Sequence, residues 1–178
     1  MNIKQLPSFK YHPDPIASGV FVKSDSVCPV CNQNNGYKYV GPFYAFTEVE
    51  NICPWCIKNG KAAEKYDLTF VDEDEIDSVA DEQAIEELTK MTPGYFFPQG
   101  DTWPAHCDDF CILLGGAKVV EIEDKLSLLT KDLEFIKERL EITDDMLLKD
   151  LTKDNSPLWW ILFKCKGCDS YKLIADYE

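Results

Sequence analysis

The sequence predicts an α+β fold, and three observations carry that prediction. Runs rich in aromatic and β-branched residues read as short strands: Tyr37-Lys-Tyr-Val40, Phe43-Tyr-Ala-Phe46, Leu158 to Phe163 and Tyr171 to Tyr177. Apolar residues recur at helical spacing in other stretches, from Ile76 to Leu88 and from Ile122 to Leu140. All eight cysteines arrive as four close pairs, Cys28/Cys31, Cys53/Cys56, Cys107/Cys111 and Cys165/Cys168, as tetrahedral metal sites need. The expected architecture is therefore zinc-stabilised: a treble-clef or zinc-ribbon-like N-terminal lobe, a helical segment, and a C-terminal β-hairpin ending in a zinc knuckle. The 178 residues suit a single domain over 1–178, divided into a zinc lobe (1–70), an acidic helix, aromatic segment and Cys107/Cys111 helix (71–117), a helical hairpin (118–155) and the terminal hairpin (156–178).

Composition narrows the function classes. Hydrophobic residues make up 45% of the chain, enough for a packed core, yet the longest apolar run, Leu158 to Phe163, is far short of a membrane span. The N-terminus lacks the apolar stretch of a secretory signal, so a reducing cytoplasm is expected, where paired thiols hold metal rather than disulfides. Acidic residues number 32 against 18 basic ones, a net charge of −14. No basic stripe appears, which argues against direct nucleic-acid binding.

Leu6 to Pro15 carries three prolines, which excludes a regular helix and predicts an extended arm anchored by Phe9, Tyr11 and Ile16. His12 within it is a ligand or base candidate, but a lone histidine in such an arm reads first as a packing residue. Cys28-Pro-Val-Cys31 leads into the turn-rich Asn32-Gln-Asn-Asn-Gly36. Strands Tyr37–Val40 and Phe43–Phe46 should then form a hairpin before Cys53-Pro-Trp-Cys56 opens a short helix interrupted at Gly60. Between Tyr66 and Thr89 there are ten acidic residues and no Lys or Arg. An amphipathic helix using Ile76, Val79, Ala80, Ala84 and Leu88 should run there until Thr92-Pro93-Gly94 stops it.

Tyr95 to Pro104 reads as an aromatic lid over the core. Ala105 to Gly115 reads as a helix that sets Cys107 and Cys111 on one face. Ile122, Leu126, Leu129, Leu133, Ile136 and Leu140 form a heptad seam, expected to pack within the chain or to drive dimerisation. A second helix is expected after Thr143 with Leu147, Leu148 and Leu151 inward. At the end, Cys165-Lys-Gly-Cys168 should be the tip of a hairpin, its glycine supplying turn freedom.

The ligand sets that follow are Cys28, Cys31, Cys53 and Cys56 for one ion and Cys107, Cys111, Cys165 and Cys168 for a second. His106 is an alternative ligand in the second set. Four sulfurs leave no open position, so both sites read as structural, and two histidines in the whole chain exclude a His-rich hydrolytic centre. Two enzymatic alternatives stand beside this: a zinc site of His106 with two cysteines and water, using Asp108 or Asp109 as base, and a thiol-redox pair at Cys53/Cys56. The preferred reading is a binding protein of unknown partner, a metal-stapled scaffold that displays an acidic surface from Asp67 to Glu87, an aromatic segment from Tyr95 to Trp103 and a leucine seam.

Several stretches together resemble the CbrC family of bacterial proteins. They are Leu6-Pro-x-Phe-x-Tyr-His-Pro-Asp-Pro15, Cys53-Pro-Trp-Cys-Ile57 with the following Gly-Lys-Ala-Ala-Glu-Lys, Thr92-Pro-Gly94, His106-Cys-x-Asp-x-Cys111 and Phe163-x-Cys-x-x-Cys168. The resemblance runs nearly end to end and implies that the eight cysteines are shared metal positions. Asp169 departs from it, standing where a knuckle glycine is expected. The family name comes from a link to colicin tolerance. It implies no reaction, and it makes an immunity or stress role, with a basic toxin-like protein as partner, an expectation to test.

Overall fold

The computed structural model of the chain describes residues 5–98, 102–116, 122–151 and 157–177. Their architecture is mixed helix and small antiparallel sheets, with buried side chains gathered into three clusters. The N-terminal residues read for a signal, and those around 117–121 and 152–156 where the helical stretch was expected to begin and end, lie outside the described residues.

β1 (Phe21–Lys23) pairs antiparallel with β2 (Tyr37–Tyr39), Phe21 facing Tyr39. The chain between them is the first knuckle. Cys28 N donates to Gln33 O at 2.9 Å, Asn32 N donates to Cys28 O at 2.8 Å, and Asn32 takes a left-handed φ of 55°. The expected return strand Phe43–Phe46 does not form: Tyr44 makes one isolated bridge with Thr69, and Phe46 is fully exposed. Its place beside β2 is taken. Tyr39 N donates to Ile52 O at 2.8 Å and the Tyr39 hydroxyl donates to Pro42 O, so the chain folds back at Pro42 and returns through Ile52 instead.

Directly after Ile52 come α1 (Pro54–Lys58) and α2 (Lys61–Tyr66), separated by Gly60 at φ 72°, a left-handed position that ends one helix and starts the next. Phe9, Phe21, Tyr39, Ile57 and Phe70 fill the first cluster around Cys28, Cys53 and Cys56. Of the expected arm anchors, Phe9 and Tyr11 are buried and Ile16 is exposed.

The acidic helix is shorter than its apolar spacing predicts. α3 (Glu82–Met91) begins where the Asp81 carboxylate accepts from Gln83 N at 2.9 Å. The preceding Ile76 is instead extended and bridges Trp103, because Asp77 N donates to Trp103 O at 3.1 Å and Trp103 N to Glu75 O at 3.0 Å. Ala84 and Leu88 are buried as the pattern requires, and the helix stops at Thr92. The aromatic segment covers the second cluster, with the rings of Tyr95, Trp103 and Phe163 in mutual edge contact at 5.4 to 5.8 Å.

The expected helix over Ala105–Gly115 is a correction. β3 (Ala105–His106) pairs antiparallel with β4 (Asp109–Phe110), and the two residues between, Cys107 (φ 55°) and Asp108 (φ 57°), both adopt left-handed backbone, the two-residue turn whose twist matches paired strands. β5 (Ile112–Gly116) then joins the C-terminal sheet. Long-range pairing overrides the helical spacing. Leu113 N donates to Tyr11 O at 2.8 Å and β5 pairs with β6, so remote strands take the backbone groups that a helix would pair internally.

That sheet has the order β5, β6 (Leu158–Lys164), β7 (Tyr171–Tyr177), with seven cross-strand pairs in the terminal hairpin. A 3-10 stretch, Glu123–Leu128, leads into α4 (Thr130–Leu140) and α5 (Asp144–Leu151), and Thr143 Oγ1 accepts from Met146 N at 3.3 Å as the expected cap. The leucine seam packs inside the chain. Ile122, Leu129 and Ile136 are buried and Leu126, Leu133 and Leu140 partly so, in one cluster with Leu158, Trp160, Leu162 and Leu173 of the sheet. Leu147 is buried there too, and the side chains of Leu148 and Leu151 lie outside the described residues.

α4 also closes the free edge of β7. Asp132 Oδ2 accepts from Leu173 N at 3.0 Å, and Arg139 donates to Ala175 O while pairing with Asp176 at 3.0 Å. Edge strands with unpaired backbone groups invite association, and these side chains occupy them. Asp132→Ala is expected to cost about 1–2 kcal/mol in urea unfolding and to raise the tendency to aggregate. Unchanged stability would mean that water replaces the carboxylate. Among the described residues no helix is long and apolar enough to cross a membrane.

Candidate metal centres

The first centre joins the knuckle after β1 to the start of α1. Ligand atoms of Cys28, Cys31, Cys53 and Cys56 all lie within 4.8 Å of one another. Cys31 Sγ and Cys53 Sγ are 3.8 Å apart. Four thiolates at a Zn–S distance of about 2.3 Å span a tetrahedron with edges of about 3.8 Å, so the spacing fits a tetrahedral thiophilic ion. Cys53 is the N-cap of α1, followed by Pro54, which commits no amide to the helix, and this sets Cys56 one turn on, at its start. Cys28, Cys53 and Cys56 are buried.

Burial tends to raise the Cys28 thiol, but backbone amides of Cys31, Cys53 and Val30 outweigh it and hold it below its usual value. Burial, with the neighbouring Cys28, pushes Cys53 up to about 11, and burial pushes Cys56 up further. One sulfur is thus ready to ionise while its neighbours resist, which is how a buried thiol quartet behaves until a divalent cation supplies the opposing charge. The Asn35 amide, Nδ2 at 3.3 Å from Cys53 Sγ and 3.5 Å from Cys31 Sγ, donates to the sulfurs from outside. Sequence reasoning saw Asn35 only as one of several turn residues, since the direction of its amide depends on the folded knuckle.

The second centre is built from two hairpin tips. Its ligand atoms belong to His106, Cys107, Cys165 and Cys168, again all within 4.8 Å of one another. Cys107 Sγ is 3.7 Å from Cys168 Sγ, and His106 Nδ1 is 3.2 Å and 3.4 Å from those two sulfurs. The alternative ligand His106 therefore stands where Cys111 was expected. The two-residue turn puts adjacent residues His106 and Cys107 at the hairpin tip, whereas Cys111, four residues on along extended chain, faces the core. There its thiol is pushed up to about 12 by burial, and its carbonyl accepts from Trp103 Nε1 at 2.9 Å. Hydrogen bonds from the Ser170 side chain and backbone lower Cys168 to about 6, and contact with the Cys168 and Cys165 sulfurs raises Cys107 to about 11.

Gly167 does not supply the expected turn freedom: its φ is not left-handed, and a Cβ there would meet Cys107 Cβ at 3.4 Å, an ordinary contact.

Beyond the ligands, Tyr11 OH donates to Asp109 Oδ1 at 2.7 Å and Lys10 pairs with Asp109 at 3.1 Å, tying the N-terminal arm to the second centre's hairpin. Asp77 Oδ2 accepts from Ala105 N at 2.8 Å and Asp108 Oδ1 from Ala80 N at 3.3 Å, docking the acidic stretch on the same hairpin. Between them is a polar depression, open to solvent, lined by Asp77, Ser78, Ala105, His106 and Asp108.

His12 joins neither centre. It is buried, 2.8 Å from Pro93 O through Nδ1 and 2.7 Å from Ser18 Oγ through Nε2. Since a carbonyl only accepts, Nδ1 carries the proton and the Ser18 hydroxyl donates to Nε2. Burial lowers its pKa to about 4 from 6.5. A depressed folded pKa means stability that is fully present above pH 6.5 and lost as pH falls through about 4, on the order of 3 kcal/mol. Denaturant melts across that window are expected to show a steeper loss for wild type than for His12→Asn, and parallel curves would assign the acid sensitivity elsewhere.

The family model described as "Uncharacterised protein family (UPF0167)" matches residues 6–177. UPF0167 proteins of Mycobacterium bovis and Mycobacterium tuberculosis are each 34% identical over 182 residues, covering 98% of this chain and 95% of theirs. One from Pseudomonas aeruginosa is 38% identical over 120 residues, 66% of this chain and 67% of that protein. No solved structure matches. With the family match running from the proline-rich arm through the last strand and relatives aligned nearly end to end, the chain belongs to the UPF0167 family.

Proposed function

We propose that the protein is a zinc-stapled interaction module: two structural zinc ions hold small elements in place, and the resulting surface binds a protein partner in the cytoplasm. The observation that carries this reading is the pair of ligand quartets, Cys28/Cys31/Cys53/Cys56 and His106/Cys107/Cys165/Cys168, each drawn from two separate segments of chain. Complete quartets of sulfur and imidazole suit zinc, whereas hard oxygen-seeking ions prefer carboxylates. In the N-terminal lobe the knuckle, β2 and the start of α1 follow one another, an order that supports a treble-clef-like reading, and the placement of Cys165 and Cys168 between β6 and β7 supports a zinc-knuckle reading of that hairpin tip.

Exposed Glu73, Asp74, Glu75, Asp77, Asp81 and Glu82 form an acidic face beside the second centre, which favours a basic partner. The resemblance to the CbrC family makes a toxin-tolerance or stress role the first to test. Elemental analysis of protein purified under reducing conditions is expected to give two zinc ions per chain. A pull-down should lose its main captured protein when Asp72, Asp74 and Asp77 are changed to Asn, and capture unaffected by that change would remove the acidic face from the proposal.

A second reading, metal-assisted hydrolysis at the second centre, is favoured by the polar depression beside His106 with Asp108 on its wall. It requires one ligand to yield to water. Hydrolytic turnover lost in Asp108→Asn with both zinc ions retained would support it.

A further inference from the structure

The two centres differ in how their sulfurs meet solvent. In the first, three of the four cysteines are buried and the fourth, Cys31, is intermediate, with the Asn35 amide donating to its sulfur. In the second, Cys107 is exposed at the tip of the β3–β4 turn, 3.7 Å from Cys168 Sγ, while Cys165 is buried beneath them. We propose that Cys107 is the peroxide-reactive sulfur of the second centre and that this centre is a redox-responsive site, closed by zinc when reduced and opened by a Cys107–Cys168 disulfide when oxidised. This rests on the zinc reading above.

The chemistry needs one equivalent of hydrogen peroxide. Cys107 Sγ attacks a peroxide oxygen, the O–O bond breaks, and the departing hydroxide takes a proton to become water, leaving a sulfenic acid on Cys107. Cys168 Sγ then attacks the Cys107 sulfur. The S–S bond forms, the S–O bond breaks, and the second hydroxide takes a proton and leaves as water. Two thiolates lose two electrons in total, and peroxide gains them. Closing 3.7 Å to a disulfide length of about 2.05 Å needs movement only of the turn tip and the facing knuckle. His106 and Cys165 alone then remain as ligands, too few to retain the ion.

The structural consequence is local to the hairpin. β3–β4 carries Asp109, the anchor of Tyr11 and Lys10, and receives Asp77 from the acidic stretch. Oxidation is therefore expected to loosen the N-terminal arm and the acidic face together while the first centre stays closed.

The test uses the full chain with its zinc content measured first. One molar equivalent of hydrogen peroxide is added with a chromogenic zinc chelator present, and the disulfides are mapped by mass spectrometry. One of two zinc ions should be released, with Cys107–Cys168 as the main disulfide and Cys28, Cys31, Cys53 and Cys56 still reduced. Cys111→Ala, which keeps both quartets, should release one ion as the wild type does. If that variant fails to fold, the wild-type disulfide map decides alone. Simultaneous loss of both ions, or a disulfide within the first quartet, would overturn the inference while leaving the zinc reading intact. A folded chain that carries and takes up no zinc would overturn both.

Discussion

Stripping zinc from the reduced protein is expected to abolish cooperative unfolding of the N-terminal lobe. Its strands are three residues long and its helices five and six, lengths at which neither a two-stranded ribbon nor an isolated helix holds its shape in water. Cys28, Cys53 and Cys56 are themselves members of the buried cluster that unites these pieces. Closing a structural zinc site contributes about 10–16 kcal/mol in small finger peptides, more than most domains have in total stability. Cys56→Ser should therefore remove one zinc equivalent and cost far more stability than His12→Ala, which empties only a small buried polar site. Circular dichroism during chelation, followed by denaturant melts of the two variants, checks both statements. A lobe that keeps its melt without zinc, or equal effects of the two substitutions, would contradict the account.

The second large effect separates His106 from Cys111. His106→Ala is expected to reduce zinc content toward one ion per chain, because an imidazole nitrogen is lost from the quartet. Cys111→Ala should retain both ions and cost about 1 kcal/mol, since it removes a single buried sulfur from the aromatic core. Counting zinc and titrating free thiols in each variant gives the answer directly. Loss of an ion from Cys111→Ala with retention in His106→Ala would restore the all-cysteine set and overturn the geometry of the β3–β4 turn.

The contrast between these residues shows how much was legible in the sequence. Pairs such as Cys28/Cys31 and Cys165/Cys168 carry their geometry locally, because two cysteines separated by two residues in a tight turn bring their sulfurs together whatever surrounds them. The terminal hairpin was equally readable, its two apolar runs being separated only by the knuckle. Cys107 and Cys111 were not. Their spacing fits a helix, and only the pairing of β5 with β6, nearly fifty residues on, pulls the segment into extended form and turns Cys111 inward. Phe43–Phe46 failed in the same way: its composition is that of a strand, but Ile52 already occupies the edge of β2. Ile76 looked helical because its spacing to Leu88 is right, while its backbone partner, Trp103, is remote in sequence. The heptad seam was correctly apolar, and its partner proved to be a sheet. Local pattern thus identified which side chains are buried more reliably than what they are buried against.

X-ray absorption at the zinc edge, on protein purified and kept under reducing conditions, tests the central claim most directly. Two ions coordinated by the first and second quartets hold seven sulfurs and one nitrogen between them, so the average shell per ion should be about 3.5 sulfurs at about 2.3 Å and about 0.5 nitrogen at about 2.0 Å. A shell dominated by oxygen or nitrogen, an all-sulfur shell, or a folded chain with no zinc to measure would contradict it.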